Sequence, residues 1–209
     1  MYTPKHYEVT DRTKMLEFMK GNNFGILFSH TGGEPMATHL PFIIEEESGE
    51  QGLILGHMAR ANRQWRCADD QQVLVVFHGP HTYVSPTWYQ AEETVPTWDY
   101  VAVHATGVFK ALEDRAVLQE SVGRLTAQHE ASQPQPWQMD FSTDYSEQML
   151  KRIVAFQIEI TSIQGKWKLN QNHPEERRER VSEKLKTLGG EVNLQIAGLI
   201  DEDMAGQPG

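Results

Sequence analysis

A short alternation of polar and apolar residues near position 40 has the residue types to hold a flat ligand. The run is Ala37-Thr38-His39-Leu40-Pro41-Phe42. A period of two predicts a strand, and because proline has no N–H to donate, Pro41 places that strand at a sheet edge. Exposed backbone groups there, with apolar contact from Leu40 and Phe42, could bind the rim of a planar heterocycle. An ordinary edge strand that Pro41 protects from aggregation is the alternative interpretation.

A second run could bind an anion where a strand passes into a short helix. It reads Leu55-Gly56-His57-Met58-Ala59-Arg60-Ala61-Asn62. Backbone amides at a helix start bind phosphate, and the Arg60 guanidinium can hold two phosphate oxygens at once. A surface arginine beside a capped helix is equally compatible with the run. The chain has no Walker-type loop and no clear Gly-x-Gly-x-x-Gly, so a P-loop site or a Rossmann fold is poorly supported.

Aromatic residues crowd two later segments, 77–89 and 95–100. Tryptophan and tyrosine offer large rigid faces with a polar edge, which suits both stacking on a flavin-like ring and packing of a dimer seam. We expect most of them to be structural, and Trp98 to lie nearest to a ligand.

Five histidines lie in or beside predicted strands: His39, His57, His78, His81 and His104. His78 and His81 bracket a Gly-Pro pair that is predicted to turn, but their spacing is not a zinc pattern and no carboxylate lies in close register. We therefore expect structural histidines and no metal. Cys67 is the single cysteine, which excludes a multi-cysteine zinc site and an intrachain disulfide. Without a Gly-x-Ser-x-Gly elbow, nothing supports a serine hydrolase.

The main basic concentration follows residue 165. The segment 165–172 leads into a predicted helix that carries five Lys or Arg side chains together with Glu175, Glu176, Glu179 and Glu183. Mixed charge of this kind usually marks a solvated helix face, although contact with nucleic acid stays an alternative. The whole chain has a net charge of -10, which argues against avid DNA binding.

The coarse pattern is β-rich, with helices between the strands. Strand runs are predicted at 24–30, 36–44, 53–57, 73–78, 82–85, 100–110 and 154–163. Helices are predicted at 11–20, 113–130, 145–152 and from about 174 to 188. Pro174 suits a first helical position, and Gly189-Gly190 ends that helix. This mixture is typical of a barrel or sandwich with peripheral helices.

A chain of 209 residues is long enough for one substantial core. We expect a core domain with covering helices over 1–165, and a C-terminal helix with a flexible tail over 166–209. The sequence shows no signal-peptide core and no apolar stretch near the ~20 residues that a membrane span needs. A cytoplasmic protein with no membrane contact is the expectation.

Several pieces, in this order, resemble the PaiB-type family of transcriptional regulators. They are Thr38-His39-Leu40-Pro41, His57-Met58-Ala59-Arg60-Ala61-Asn62, the run 79–89, Val95-Pro96-Thr97-Trp98 and Lys166-Trp167-Lys168-Leu169. The resemblance extends from Met1 to about Leu188. It implies a β-dominated α+β fold, an FMN-binding split β-barrel with peripheral helices and a C-terminal helix. It also implies a homodimeric flavoprotein with FMN at the subunit interface, related to pyridoxamine-phosphate-oxidase-like and flavin-reductase-like proteins.

The resemblance implies these cofactor-binding residues: Thr38, His39, Leu40, Pro41, Ala59, Arg60, Asn62, Trp98 and Lys168. The strand 38–41 would face the isoalloxazine, Arg60 and Asn62 would lie by the phosphate and ribityl chain, and Trp98 would approach from the partner subunit. No catalytic residue follows from it.

The chain departs from the usual family pattern at three places. Arg63 stands in place of a proline, Asp99 in place of an asparagine, and Asn170 in place of a serine. An acidic Asp99 beside a flavin phosphate is expected to weaken anion binding.

Two functional classes stay open. One is a negative transcriptional regulator that senses FMN or a metabolite, although no helix-turn-helix is evident. The other is a flavin-dependent oxidoreductase or flavin reductase acting on a small molecule, in which the cofactor supplies the redox chemistry. No side chain identifies itself as the acid or base for a particular substrate.

Overall fold

The computed structural model describes residues 1–31 and 33–206, and strands dominate them. The strands are β1 (Glu8–Val9), β2 (Phe24–Thr31), β3 (Glu34–Pro41), β4 (Ile43–Glu45), β5 (Leu53–Ala59), β6 (Gln72–Val84), β7 (Thr97–Leu112) and β8 (Ile153–Lys168). They form one sheet in the order β3-β2-β6-β7-β8-β5-β4, with β1 paired to β8. The pairs β1–β8, β2–β3, β2–β6, β4–β5 and β5–β8 are antiparallel. β3 is an end strand, as Pro41 predicts.

Helices connect or follow the strands. They are α1 (Arg12–Gly21), α2 (Gln64–Ala68), α3 (Arg115–Glu130), α4 (Asp144–Leu150), α5 (Glu175–Leu188) and α6 (Glu191–Ala205), with 3₁₀ turns at Lys5–Tyr7 and Pro86–Tyr89. α3 begins where the Asp114 carboxylate accepts the amides of Ala116 and Val117. None of the helices in the described part of the chain is long and apolar enough to cross a bilayer.

The predicted turn at Gly79-Pro80 is wrong. β6 runs without interruption from Gln72 to Val84 and includes both residues. A proline φ of about −65° is compatible with an extended chain, so the residue is tolerated wherever a strand does not need its N–H. The two strand runs predicted on either side of this pair are therefore one long strand.

The segment after Gly190, whose last several residues were expected to be mobile, forms a helix over most of its length. α6 buries Ile196, Ala197 and Ile200 completely and packs against α5. These three residues lie on one helical face, and their burial holds the segment in place. Sequence reasoning missed this face because the segment ends in acidic residues and glycine. Residues 207–209, the end of the expected tail, lie outside the described residues.

The chain divides into two compact units. The terminal unit comprises Met1–Arg12, His78–Val103 and Gln164–Gly209, and the central unit comprises Thr13–Phe77 and His104–Ile163. The long strands β6, β7 and β8 each contribute residues to both units. The boundary expected between residues 165 and 166 falls within β8.

Aromatic side chains fill the core of the central unit. Phe42 contacts Phe77 and Phe156 edge to face, with ring centroids 5.6 and 6.3 Å apart, and Phe109 stacks on Phe156 at 4.7 Å. Gly56 makes room for this group, because a Cβ there would come within 2.7 Å of the Phe156 ring. Phe42 is completely buried, so it supports the strand β3 region from inside and does not offer its ring to a ligand.

Candidate cofactor site

A buried glutamine organises the polar part of the central unit. Gln64, the first residue of α2, is completely buried. Its Nε2 donates to the carbonyl of Leu27 and to the Ser29 hydroxyl, both at 3.1 Å, and its Oε1 accepts from the Thr38 hydroxyl. One side chain therefore ties α2 to β2 and β3, and fixes the Thr38 side chain. Sequence reasoning missed Gln64, because glutamine is mostly a surface residue and carries no motif here.

Thr38 and Asn62, both predicted, are brought into direct contact. Asn62 Nδ2 donates to Thr38 Oγ1 at 3.0 Å, and Asn62 Oδ1 accepts the Gln64 amide at 3.0 Å. Since Thr38 also donates to Gln64, its hydrogen is committed and one lone pair can still accept. Asn62 likewise keeps a second amide hydrogen that can donate. The pair thus offers one acceptor and one donor, held in place by a buried network.

Arg60 has a carboxylate partner. Its Nη1 lies 2.8 Å from Glu113 Oε2, and its Nε donates to the Lys151 carbonyl at 3.2 Å. The Arg60 side chain is 34% exposed and that of Glu113 is 62% exposed. α2 begins only at Gln64, whose amide Asn62 already accepts, so the anion site expected at a helix start reduces to the Arg60 side chain. Ala59, also predicted, is the exposed last residue of β5.

The remaining predicted residues of β3 face different surroundings. Leu40 is only 9% exposed and belongs to the core, whereas His39 is exposed. The His39 ring stacks on Phe24 with centroids 6.4 Å apart, and Phe24 is itself 64% exposed. Pro41 is half-buried at the end of the strand. This strand therefore presents His39 and Phe24 as an exposed pair of rings.

Trp98 and Lys168 meet in the terminal unit. Lys168 Nζ donates to the Trp98 carbonyl at 2.6 Å and to the Thr97 hydroxyl. Burial lowers the pKa of Lys168, and the charge of Asp99 opposes that shift. The Trp98 ring is 53% exposed and lies 6.2 Å from His81 and 6.0 Å from Tyr83. An exposed aromatic ring and a cation that contacts the same residue's backbone could together bind a planar anionic ligand.

Two departures from the family pattern form one buried pair. Asn170 Nδ2 donates to Asp99 Oδ2 at 2.6 Å, and Asn170 Oδ1 accepts from the Tyr89 hydroxyl at 2.8 Å. Asp99 is completely buried, so its carboxyl group does not face solvent, and its expected effect on anion binding stays a prediction. Burial raises the pKa of Asp99 to about 7. The third departure, Arg63, is exposed and pairs with Glu34 at 2.8 Å.

The histidines do not converge. In the described residues no group of three or more His, Cys, Asp and Glu side chains could hold a metal ion. His78 and His81 are neighbours on β6 with ring centroids 4.7 Å apart. Burial lowers the pKa of His57, so its imidazole is neutral, and its buried Nδ1 finds no partner among the described residues.

Comparison with known proteins shows the family of the chain. A family model described as "Putative FMN-binding domain" matches residues 1–162. The chain is 36% identical over 209 residues to the Bacillus subtilis (strain 168) protein named "Protease synthase and sporulation protein PAI 2", covering 99% of this chain and 100% of that protein. It is 30% identical over 203 residues to an uncharacterized Emericella nidulans protein, covering 79% of this chain and 81% of that one.

Two solved structures share the fold at low identity. The flavocytochrome Anf3 from Azotobacter vinelandii has a TM-score of 0.61 at 11% identity, over 79% of this chain and 72% of that one. The FAD and heme binding protein from Mycobacterium smegmatis has a TM-score of 0.61 at 14% identity, over 88% and 81%. These matches confirm the β-dominated α+β fold of split-barrel type.

The donors and acceptors of the site fit FMN. A flavin ring carries both kinds of group on its rim, which the acceptor of Thr38 and the donor of Asn62 match, and an arginine suits its phosphate. The family match and this donor set agree on FMN as the cofactor. The chain belongs to the FMN-binding domain family, as a split-barrel protein of the PaiB type.

Proposed function

We propose that the chain works as a homodimeric flavoprotein whose FMN exchanges a hydride with a small molecule. The observation that carries the proposal is the Thr38–Asn62–Gln64 network, because it holds one free acceptor and one free donor rigidly in a polar site. Bound FMN supplies the two-electron redox chemistry, and the protein supplies binding and orientation. Thr38 and Asn62 would hold the flavin or its ribityl chain, and Arg60 the phosphate.

Arg60 can leave Glu113 for a phosphate at little cost. Both side chains are substantially exposed, and exposed ion pairs are worth about 0–1 kcal/mol. A phosphate offers the same guanidinium two parallel charge-assisted hydrogen bonds, which are stronger. Glu113 would then act as a stand-in for the anion, keeping the Arg60 side chain extended when no cofactor is bound.

Exposed aromatic surface supports the homodimer. In the central unit Phe24 is 64% exposed, and in the terminal unit Trp98 and Tyr83 are 53% and 44% exposed. Contiguous exposed aromatic surface, such as the neighbouring rings of Trp98 and Tyr83, can mark an interaction site. A second copy would cover them. Trp98 of that copy would approach the cofactor site, as the PaiB resemblance implies, and Lys168, which contacts the Trp98 carbonyl, would come with it.

A transcriptional regulator is the second candidate. The Bacillus relative, which matches over its whole length, is named for protease synthesis and sporulation, and this favours a regulatory role. The charges of the C-terminal helices argue against direct contact with DNA. α6 contains no Lys or Arg, and on α5 Arg178 and Lys186 pair with acids of α6, while Arg180 pairs with Glu176. Little basic surface is left there for phosphates.

Substitution of Thr38 tests the cofactor site directly. Thr38→Val keeps the side-chain shape but removes the hydroxyl, so we expect FMN affinity to fall about tenfold, the usual scale for losing a well-placed hydrogen bond. Thr38→Ser keeps the hydroxyl and serves as the matched control, with affinity close to that of the unmodified protein. The measurement is a flavin fluorescence titration, with circular dichroism to confirm folding.

The redox role needs a second readout. After excess FMN is removed by gel filtration with light scattering, the eluted dimer should keep a flavin spectrum, and anaerobic addition of a reduced nicotinamide should bleach it. Retained FMN that no nicotinamide reduces would favour the regulator. A folded protein that retains no flavin, or Thr38→Val binding like the unmodified chain, would remove the site that we propose.

A further inference from the structure

The start of β7 and the end of β8 are cross-linked by two side chains in the terminal unit. From β8, Lys168 donates to the Thr97 hydroxyl and to the Trp98 carbonyl. From just beyond β8, Asn170 donates to the Asp99 carboxylate. Asn170 has a φ of 61°, a left-handed conformation that is uncommon for residues other than glycine. Its backbone is thus held in the shape that aims the amide at Asp99.

The Asp99 carboxyl group is only half satisfied. Oδ2 accepts from Asn170, but the buried Oδ1 finds no partner among the described residues. An unpaired buried acceptor of this kind is costly when charged and much less so when protonated. The geometry therefore disfavours the ionised form of Asp99.

Two cations and two phenol groups interact with this carboxyl group. Lys168 of β8 and Arg178 of α5 both lower the pKa of Asp99, and burial, the larger influence, raises it to about 7. Tyr7 and Tyr89 face it as neutral phenols whose pKa values burial and the Asp99 charge raise. Arg178 is itself paired with Asp203 at 2.6 Å, which leaves Lys168 as the cation most responsive to Asp99.

We infer that Asp99 is a positioning residue whose ionisation sets how firmly the Lys168 ammonium is held against the Thr97–Trp98 backbone. When Asp99 is ionised, Lys168 is attracted and partly neutralised. When Asp99 is protonated, the Lys168 charge is available to an anionic ligand. This inference rests on the proposed function, in which Trp98 and Lys168 contact the flavin.

The direction of the pH effect follows from the charges. Asp99 loses its proton as the pH rises through about 7, so FMN affinity should fall over that range. The phosphate of FMN works in the opposite direction, because its second ionisation, near a pKa of about 6, adds negative charge. The effect of Asp99 must therefore be measured as a difference between variants.

The test compares FMN affinity between about pH 6 and about pH 8 in the unmodified chain, Asp99→Asn and Glu179→Gln, the last an exposed carboxylate of α5 as matched control. We expect the unmodified chain and the control to lose about three- to tenfold more affinity than Asp99→Asn over this range, the scale of direct coupling between neighbouring groups. The same difference should vanish in a Lys168→Met background, since Asp99 acts through that ammonium. The inference is overturned if folded Asp99→Asn loses as much FMN affinity between the two pH values as the unmodified chain. It is also overturned if the difference between the two proteins remains in the Lys168→Met background.

A second measurement needs neither FMN nor a folded variant. Carbon-13 NMR of labelled aspartate in the flavin-free protein should show one carboxyl group titrating near neutral pH, and the Lys168 ammonium nitrogen should shift with the same midpoint. No aspartate titrating near neutral pH would refute the role of Asp99 even if FMN binds. A coupled titration in a protein that binds no FMN would support the positioning pair and remove the proposed function instead.

Discussion

In the proposed function Arg60 binds the phosphate of FMN, and Glu113 is the ion-pair partner that the phosphate would replace. If the carboxylate competes with the cofactor, Glu113→Gln should tighten FMN binding, by up to about fivefold for an exposed pair worth about 1 kcal/mol. Arg60→Ala should weaken it and leave the fold intact, because the guanidinium is at the surface. Isothermal titration of both variants measures the two effects.

The two substitutions must change the FMN affinity in opposite directions. Lys151 is a suitable control, since its exposed side chain pairs with Glu147 and only its backbone carbonyl contacts Arg60, so Lys151→Met should change little. If Glu113→Gln and Arg60→Ala both weaken FMN binding, the ion pair itself supports the site and Arg60 does not hold the phosphate.

For single residues, the sequence was informative where the residue belongs to a recognisable short motif. Thr38, Asn62 and Arg60 could be singled out because their short runs resemble a family pattern, and the structure brings Thr38 and Asn62 into contact, while their binding of FMN stays a prediction. Gln64 could not, because its importance comes from contacts with residues 35 to 37 positions earlier in the chain. The same holds for Asp99 and Asn170, which appeared as two unrelated departures but are hydrogen-bonded across 71 positions.

At the scale of elements, local patterns predicted most strands and helices, and long-range packing decided the exceptions. α5 carries both its start and its stop signals and lies close to the expected range, whereas β8 begins near the expected residue but continues past residue 163 to Lys168. α6 and the continuous β6 depend on partners distant in sequence. α6 is a helix because Ile196 and Ile200 have α5 to pack against.

The contribution of α6 to stability should therefore come from its buried face and not from its exposed face. Ile196→Ala removes a completely buried side chain and should lower the free energy of unfolding by about 2–5 kcal/mol. Leu194→Ala on the same helix removes a side chain that is 50% exposed and should cost much less. Urea denaturation followed by circular dichroism gives both values. Equal losses for the two variants would mean that α6 is oriented differently against α5.

For the whole molecule, net charge separates the two candidate functions. A chain with a net charge of -10 repels DNA at long range, and the C-terminal helices pair much of their basic charge internally. We expect a labelled random-sequence duplex to show no binding tighter than about 10⁻⁴ M at about 200 mM salt, with or without FMN. Fluorescence anisotropy at about 50 and about 200 mM salt measures this, and a known basic DNA-binding protein serves as the control.

A regulator that contacts DNA makes the opposite prediction. Neutralising several phosphates releases counterions, so its affinity must fall steeply between those two salt concentrations. A steep salt dependence would require a basic surface outside α5 and α6, and selection of bound genomic fragments would then show whether it reads sequence. If the protein does not bind DNA and a reduced nicotinamide bleaches the bound flavin, the two results together support a flavin-dependent oxidoreductase and argue against a DNA-binding regulator.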